Sequence, residues 1–209
     1  MRYKNIVWDW NGTLLNDVTV GHGALRRMLE KRGLGTITLQ EYKDWFGFPV
    51  REFYEELGFD FSRDNWQEVS QDFVDTYDLL AGGVELNRGV KEVLASLQQR
   101  GIKQYILSAL QEETLRKMVA EFGIGSYFEK VCGADDIYAG GKVPRGQRML
   151  ADCGILAGET LMVGDTLYDA EVAAALGFDC RLFAGGHNSE WRLQEKASVI
   201  RDMKELLVL

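Results

Sequence analysis

Short apolar runs alternate with helical patterns over most of the chain. The runs predict strands at residues 5–9, 103–108, 161–164, 180–183 and 198–200, with a weaker candidate at 127–131. Between them, two groups of apolar residues recur at helical spacing: Val90, Val93, Leu94 and Leu97, and Leu115, Met118, Val119 and Phe122. This alternation predicts a parallel sheet with helices on both faces.

Residues 16–82 show a different pattern, without a convincing strand. Apolar residues recur there at helical spacing, in the groups Leu25, Met28, Leu29 and Trp66, Val69, Phe73, Tyr77, Leu80. Gly82 and Gly83 then offer a flexible joint. We therefore predict an α/β fold with a Rossmann-like parallel-sheet core, residues 1–15 and 83–209, and an inserted all-helical cap domain, residues 16–82.

Composition excludes several classes of function. The net charge of −8 over 209 residues argues against nucleic acid as a partner, because phosphate backbones attract basic surfaces. The three cysteines lie far apart and only two histidines occur, so neither a zinc site nor a disulfide framework is expected. No apolar run approaches the roughly 20 residues that span a bilayer, and the N-terminus lacks the pattern of a signal peptide. We expect a cytoplasmic protein without a membrane partner.

The first predicted strand ends in Asp9, followed by Trp10-Asn11-Gly12-Thr13. Ligands of open parallel sheets bind beyond the carboxyl ends of the strands, so Asp9 lies where a site is expected. Gly12 allows a sharp turn that brings backbone N–H groups towards an anion. The alternative is an ordinary strand followed by a turn.

Two further segments offer groups that bind phosphate. Leu107-Ser108-Ala109 ends the next core strand with a hydroxyl, although a serine at such a position is usually a helix cap. Lys142 follows two glycines and precedes a predicted helix. Its ammonium group could neutralise both a carboxylate and a phosphoryl oxygen, whereas most lysines are solvated surface charges.

A pair of carboxylates follows the strand at 161–164. Asp165 and Asp169 lie four residues apart at the turn from this strand into a helix. Carboxylate oxygens are the ligands that Mg²⁺ prefers, together with water and substrate phosphate. For Asp169 alone, capping of the helix is an equally ordinary role.

These four motifs, in this order, resemble the haloacid dehalogenase-like hydrolases, especially the phosphoglycolate phosphatase-like branch with a helical cap. The resemblance implies a Mg²⁺-dependent phosphatase that hydrolyses a small phosphorylated metabolite through an aspartyl-phosphate on Asp9. It implies that Mg²⁺ is held by Asp9, Asp165 and the carbonyl of Asn11, with Asp169 supporting the metal or the lysine. Phosphate and substrate contacts would come from the residues Thr13, Ser108, Ala109 and Lys142. A carboxylate needs such neutralisation before it can attack an anionic phosphate.

The chain departs from the family pattern at Asn11, where an aspartate usually serves as general acid and base. An amide cannot perform that task. The departure leaves three alternatives open. These are a slow phosphatase, a weakly active metabolite-binding protein, and a phosphonate hydrolase-like enzyme, which would need a cap lysine such as Lys31 or Lys43. A receiver-like phosphoacceptor domain is disfavoured by the helical insert.

Two segments resemble the substrate-facing parts of the family. The loop 45–51 ends in Arg51, which would meet a second anionic group of the substrate or else lie on a helix surface. His187 lies in a glycine-rich loop, 185–189, where an exposed surface position is the favoured interpretation. Contact with substrate, and service as the missing acid, are the alternatives. The sequence specifies neither the substrate nor the oligomeric state.

Overall fold

The computed structural model describes residues 2–138 and 141–208. The strands in these ranges are β1 (Asn5–Trp8), β2 (Leu15–Asn16), β3 (Glu85–Leu86), β4 (Lys103–Gln111), β5 (Lys130–Ala134), β6 (Thr160–Gly164), β7 (Asp179–Phe183) and β8 (Ser198–Ile200). The helices are α1 (Val18–Arg32), α2 (Leu39–Trp45), α3 (Val50–Glu56), α4 (Trp66–Leu80), α5 (Val90–Gln99), α6 (Glu112–Glu121), α7 (Lys142–Cys153), α8 (Leu167–Leu176) and α9 (Glu190–Leu193).

The main sheet has the strand order β5-β4-β1-β6-β7-β8, and every pairing in it is parallel. The predicted α/β, Rossmann-like fold class is therefore confirmed. Each predicted core strand is present, with small shifts at the ends. β5 begins at Lys130 rather than at residue 127, because Gly125–Tyr127 forms a 3₁₀ turn.

The sheet is buried on both faces because side chains of β1 alternate between two apolar clusters. Ile6 and Trp8 pack with apolar residues of α5 and α6, whereas Val7 packs with residues of α7 and α8. β1 lies between β4 and β6, so the residue that follows it is enclosed by strands on both sides. This position fixes where a site can form.

Helices α1 to α4 lie between β2 and β3 in the chain and enclose a third apolar cluster of their own. β2 and β3 pair antiparallel, Leu15 with Leu86 and Asn16 with Glu85, and join the two connections between the helical segment and the core. The sequence pattern did not reveal this short ribbon. In the described ranges, the helices lack the combination of length and apolar character that crossing a membrane requires.

Candidate active site

The predicted site residues meet at the carboxyl edge of the three central strands. Asp9 follows β1 directly, Asp165 follows β6, and Ser108 lies in the last part of β4. β4 and β6 are the two neighbours of β1, which explains why residues about 100 and 156 positions apart come together. All three side chains are buried.

A buried lysine lies between two carboxylates at this edge. Lys142 Nζ is 2.7 Å from Asp9 Oδ1 and 2.7 Å from Asp169 Oδ1, and its side chain is 2% exposed. The position of Lys142 at the first turn of α7 is held by its backbone N–H, which donates to the Tyr168 hydroxyl at 2.8 Å. The lysine is thus a structural partner of the acids and not a surface charge.

Three carboxylates form one compact cluster. Asp9, Asp165 and Asp169 each offer an oxygen, and these oxygens all lie within 4.8 Å of one another. Asp169 also completes a capping box, because its Oδ2 accepts hydrogen bonds from the backbone and hydroxyl of Thr166. Both oxygens of Asp169 are therefore engaged within the protein. The sequence suggested two functions for this residue, helix capping and support of Lys142, and the structure shows both contacts together.

Crowding of these acids changes their protonation. Burial, followed by repulsion from Asp169, raises the pKa of Asp9 to about 8, although Lys142 opposes the shift. Burial also raises the pKa of Asp165 to about 6, partly offset by His187. The pKa of Asp169 stays below its usual value, since the attraction of Lys142 and the bonds from Thr166 outweigh burial. Asp9 and Asp165 are thus the carboxylates that a bound cation would stabilise most.

The turn after Asp9 packs tightly against Asp165. Thr13 Oγ1 donates to Asp165 Oδ1 at 2.7 Å, so this hydroxyl supports a carboxylate in the structure. Gly12 has a φ of 73°, and a Cβ atom there would lie 2.2 Å from Asp165 Oδ2. Only glycine permits both this backbone conformation and this close approach.

Asn11 belongs to a buried network that the sequence did not reveal. Its Nδ2 donates to Asp17 Oδ2 at 2.7 Å, and the Tyr77 hydroxyl donates to the same oxygen at 2.7 Å. The Gly12 N–H donates to Asp17 Oδ1 at 2.7 Å. Asp17 precedes α1, where an aspartate is usually just a helix cap, yet here it makes no capping bond.

The position of His187 corrects the expectation of an exposed loop. The side chain is buried, its Nε2 lies 3.4 Å from Asp17 Oδ1, and its Nδ1 is 2.8 Å from the Tyr42 hydroxyl. Its backbone N–H donates to Asp165 Oδ2 at 2.7 Å. Burial lowers the pKa of His187, but the Asp17 carboxylate outweighs it and raises the pKa to about 8. The loop was missed because its contacts come from segments remote in the sequence.

A cavity of about 670 Å³ opens above Asp9, between the sheet edge and the helical segment. Ser108, Ala109 and Lys142 line it, together with Asn11 and His187. Thr13, also expected to contact substrate, is buried and is not among the described residues that line the cavity. The Ser108 hydroxyl accepts a hydrogen bond from the Leu110 N–H at 3.0 Å, which fixes its orientation.

Three predicted candidates from the helical segment do not reach this cavity. Arg51 is 52% exposed, pairs with Glu55 at 3.2 Å and lies over the Phe61 ring. Lys31 pairs with an aspartate on the outer surface, and Lys43 approaches the Ala184 carbonyl. None of the three is among the described residues that line the cavity, so a substrate-binding Arg51 and a Schiff-base lysine receive no support from the geometry.

The family model of haloacid dehalogenase-like hydrolases matches residues 6–182, which include Asp9, Ser108, Lys142, Asp165 and Asp169. The chain belongs to the haloacid dehalogenase-like hydrolase family. The resemblance inferred from the four motifs is thereby confirmed, and so is the prediction that the chain is an enzyme of this family. This hydrolase carries an amide, Asn11, two residues after Asp9.

Similar proteins include curated enzymes and solved structures. The hydrolase is 26% identical to a phosphoglycolate phosphatase of Pseudomonas syringae, over 98% of this chain and 78% of that protein. It is 27% identical to the tyrosine-protein kinase PtkA of Mycobacterium tuberculosis, over 87% of this chain and 62% of that protein. A haloacid dehalogenase-like protein of Streptococcus pneumoniae has the same fold, with a TM-score of 0.84 at 18% identity and coverage of 99% and 98%.

Proposed function

We propose that this hydrolase is a Mg²⁺-dependent phosphatase that acts on a small phosphorylated molecule, with Asp9 as the nucleophile. The observation that carries the proposal is the position of Asp9. Its carboxylate is buried in the lining of a cavity, 2.7 Å from the ammonium of Lys142 and within a cluster of three acids. The similarity to phosphatases supports the same reaction class.

The donor set fits Mg²⁺. Three carboxylates converge, and burial together with mutual repulsion raises the pKa of Asp9 to about 8. A divalent cation bound among these carboxylates would offset that repulsion. We propose that Asp9, Asp165 and the carbonyl of Asn11 hold the metal, while Asp169 supports Lys142. When bound, Mg²⁺ neutralises charge on the phosphoryl group and orients it.

The residues around Asp9 provide for transfer of the phosphoryl group. An Asp9 oxygen forms a bond to phosphorus, and the bond from phosphorus to the leaving oxygen breaks. Lys142 and the Ser108 hydroxyl stabilise the charge on the phosphoryl oxygens. Water then attacks phosphorus and frees the Asp9 carboxylate. Because the Asn11 amide is bound to Asp17 and carries no acidic proton, the leaving oxygen takes its proton from water.

We further propose that residues 16–82 act as a cap over this site. The Phe48 ring stacks on Tyr168 of the core with 4.5 Å between centroids, next to Lys142. The cavity lies between the helical segment and the sheet edge, so closure there would exclude water from the reacting groups. Exclusion of water strengthens each charge interaction within the site.

Hydrolysis of p-nitrophenyl phosphate by the purified protein tests the proposal. We expect activity with Mg²⁺, loss of activity with EDTA, and loss of at least about 10³-fold in Asp9→Asn, because the covalent route is then closed. Asp152→Asn, at an exposed aspartate paired with Lys130, is the matched control. An Asp9→Asn protein as active as the control would overturn the proposal.

The bonded amide of Asn11 also supports a second candidate, a metabolite-binding protein with little turnover. Such a protein would bind a phosphorylated compound in the cavity and release no phosphate. Calorimetric binding of substrates by Asp9→Asn, combined with turnover by the unaltered protein, separates the two. Binding without any release of phosphate by the unaltered protein favours the second candidate.

A further inference from the structure

The part of the cavity beyond the nucleophile is built from aromatic rings. Helices α2 to α4 and the loop between α2 and α3 contribute rings to its wall, including those of Phe46, Phe48, Phe53, Trp66 and Phe73. Four of these five rings are only half-buried, since Phe53 alone is counted in the fully buried core. The cavity thus presents apolar surface that no other part of the described chain covers.

The charges that the helical segment brings to the cavity are acidic. Asp17 and Asp78 line it, and no arginine or lysine of residues 16–82 does so. Arg51, the expected partner for a carboxylate, is bound to Glu55 outside the cavity. On the core side, Lys142 is already paired with Asp9 and Asp169, and His187, which also lines the cavity, is paired with Asp17. Lys117 lies at the rim with an exposed side chain, 4.0 Å from Glu121, which also lines the cavity.

This arrangement is unsuited to a substrate whose leaving group carries a negative charge. A carboxylate that enters an apolar cavity loses its hydration, and the cations that line this cavity already have acidic partners, whereas Asp78 would repel it. An uncharged ring would instead bury its apolar surface against Phe46, Phe48 and Phe73. The wall therefore distinguishes leaving groups by charge.

We propose that this cavity selects phosphate monoesters whose alcohol carries an uncharged aromatic or large aliphatic group, and discriminates against alcohols that carry a carboxylate. The proposal rests on the proposed phosphatase function and names its substrate class. Asp9 bonds to phosphorus, the bond from phosphorus to the alcohol oxygen breaks, and water supplies the proton to that oxygen. The inference separates this chain from relatives named for phosphoglycolate.

The test compares substrates with leaving groups of similar reactivity. Benzyl phosphate and 2-phosphoglycolate are both esters of primary alcohols, and 4-carboxybenzyl phosphate adds only a carboxylate to the ring. We expect kcat/KM for benzyl phosphate to exceed that of each charged compound at least about tenfold, because 2-phosphoglycolate has no ring to bury and 4-carboxybenzyl phosphate must desolvate a carboxylate. Acetyl phosphate serves as a small, reactive reference.

The outcomes distinguish failure of the inference from failure of the proposed function. If acetyl phosphate is hydrolysed and 2-phosphoglycolate is used as well as benzyl phosphate or better, the inference is overturned and the phosphatase function stands. If none of the four compounds is hydrolysed with Mg²⁺ present, the proposed function is overturned and the inference falls with it.

A charge placed in the wall provides a second test. Val74 lines the cavity from α4, and Val74→Arg should shift the ratio of kcat/KM values about tenfold or more towards the carboxylate compounds. Gln71→Arg, on the exposed side of the same helix and outside the lining, is the matched control and should leave the ratio unchanged. An equal shift in both variants contradicts the proposal.

A milder variant covers the case in which Val74→Arg does not fold. Phe73→Leu keeps an apolar side chain and removes a ring from the wall. It should lower kcat/KM for benzyl phosphate several-fold more than for 2-phosphoglycolate. An equal loss for both substrates would indicate a general structural effect and would overturn the selection proposed for this wall.

Discussion

The Asn11 side-chain amide donates a 2.7 Å hydrogen bond to the buried carboxylate of Asp17. The amide suits this position because Asp17 is 1% exposed and accepts three hydrogen bonds of 2.7 Å, from Asn11, Gly12 and Tyr77. Burial raises the pKa of Asp17, but His187 and these donors outweigh it and keep the pKa below the usual value. An aspartate at position 11 would set a second negative charge against this one.

The hydrogen bond between Asn11 and Asp17 predicts that general acid–base catalysis can be restored only by substituting both residues. In Asn11→Asp, two carboxylates compete for the same donors, so we expect lower stability and little gain in turnover. In Asn11→Asp with Asp17→Asn, the amide and the carboxylate exchange places. That double variant should hydrolyse benzyl phosphate at least about tenfold faster than the unaltered protein, since general acid–base help contributes roughly 10²–10⁴-fold.

Steady-state kinetics of the four proteins in this cycle provide the measurement. Asp17→Asn alone is the control, because it removes the charge of Asp17 without supplying an acid. A double variant no faster than either single variant would show that the Asn11–Asp17 bond does not limit the reaction.

The sequence was sufficient to place the groups that follow strands. Asp9, Ser108 and Asp165 each lie at the end of an apolar run, and parallel strands bring their carboxyl ends to one edge. The fold class and the approximate strand bounds follow from the same alternation. Lys142 was found through its motif, since no local pattern separates a buried lysine from an exposed one.

The remaining parts of the site depend on contacts between distant segments. Asp17 and His187 are 170 residues apart and meet only when the helical segment packs on the core. For the same reason the sequence did not decide between the two positions considered for Arg51, and its helix turns the side chain towards Glu55 and Phe61. Helical periodicity shows which side of a helix is apolar. It does not show whether that side encloses a core or borders a cavity.

Gly12→Ala should destabilise the protein more than an alanine at another glycine of positive φ. Gly12 and Gly154 have φ values of 73° and 62°, so either substitution costs about 1–2 kcal/mol for the backbone alone. A Cβ at Gly12 would also lie 2.2 Å from Asp165 Oδ2, whereas nothing lies within 4 Å of one at Gly154.

Urea unfolding of both glycine variants measures the difference. We expect Gly12→Ala to lose at least about 2 kcal/mol more than Gly154→Ala, and to lose activity with it, because the turn must move away from Asp165. Equal losses would show that the turn relaxes without cost and that its close packing against Asp165 is unimportant.

Mg²⁺ should stabilise the folded protein through Asp165. Saturation of one site at about 100 times Kd adds about 2.7 kcal/mol, which for a chain of this size raises Tm by about 5–10 °C. Asp165→Asn should abolish this increase. In EDTA at pH 8, the same variant should have a higher Tm than the unaltered protein. The folded-state pKa of Asp165 is raised to about 6, so the charged carboxylate present at pH 8 destabilises the folded state.

Thermal unfolding with Mg²⁺ and with EDTA provides both readings. Asp152→Asn, at an exposed aspartate paired with Lys130, should keep the full Mg²⁺ increase. An undiminished increase in Asp165→Asn would place the metal elsewhere in the chain.

Asn188 joins the helical segment to the core and should control their attachment. Its side chain is fully buried, Oδ1 accepts from the Leu167 N–H at 3.0 Å, and Nδ2 donates to the Phe46 carbonyl at 2.8 Å. Leu167 begins α8 of the core, and Phe46 directly follows α2 of the helical segment. Asn188→Ala leaves the Leu167 N–H without this acceptor, at about 1–3 kcal/mol, and leaves the Phe46 carbonyl only its bond from Arg192 at 2.8 Å.

Asn188→Asp separates the two contacts, because a carboxylate still accepts from Leu167 but repels the Phe46 carbonyl. Amide hydrogen exchange should therefore increase in α2 alone for Asn188→Asp, and in both α2 and the first turn of α8 for Asn188→Ala. If α2 serves as part of a cap, kcat/KM should fall in both variants, since closure excludes water from Asp9. Faster exchange in α2 with unchanged kcat/KM would show that its attachment to the core is structural and has no part in closing the site.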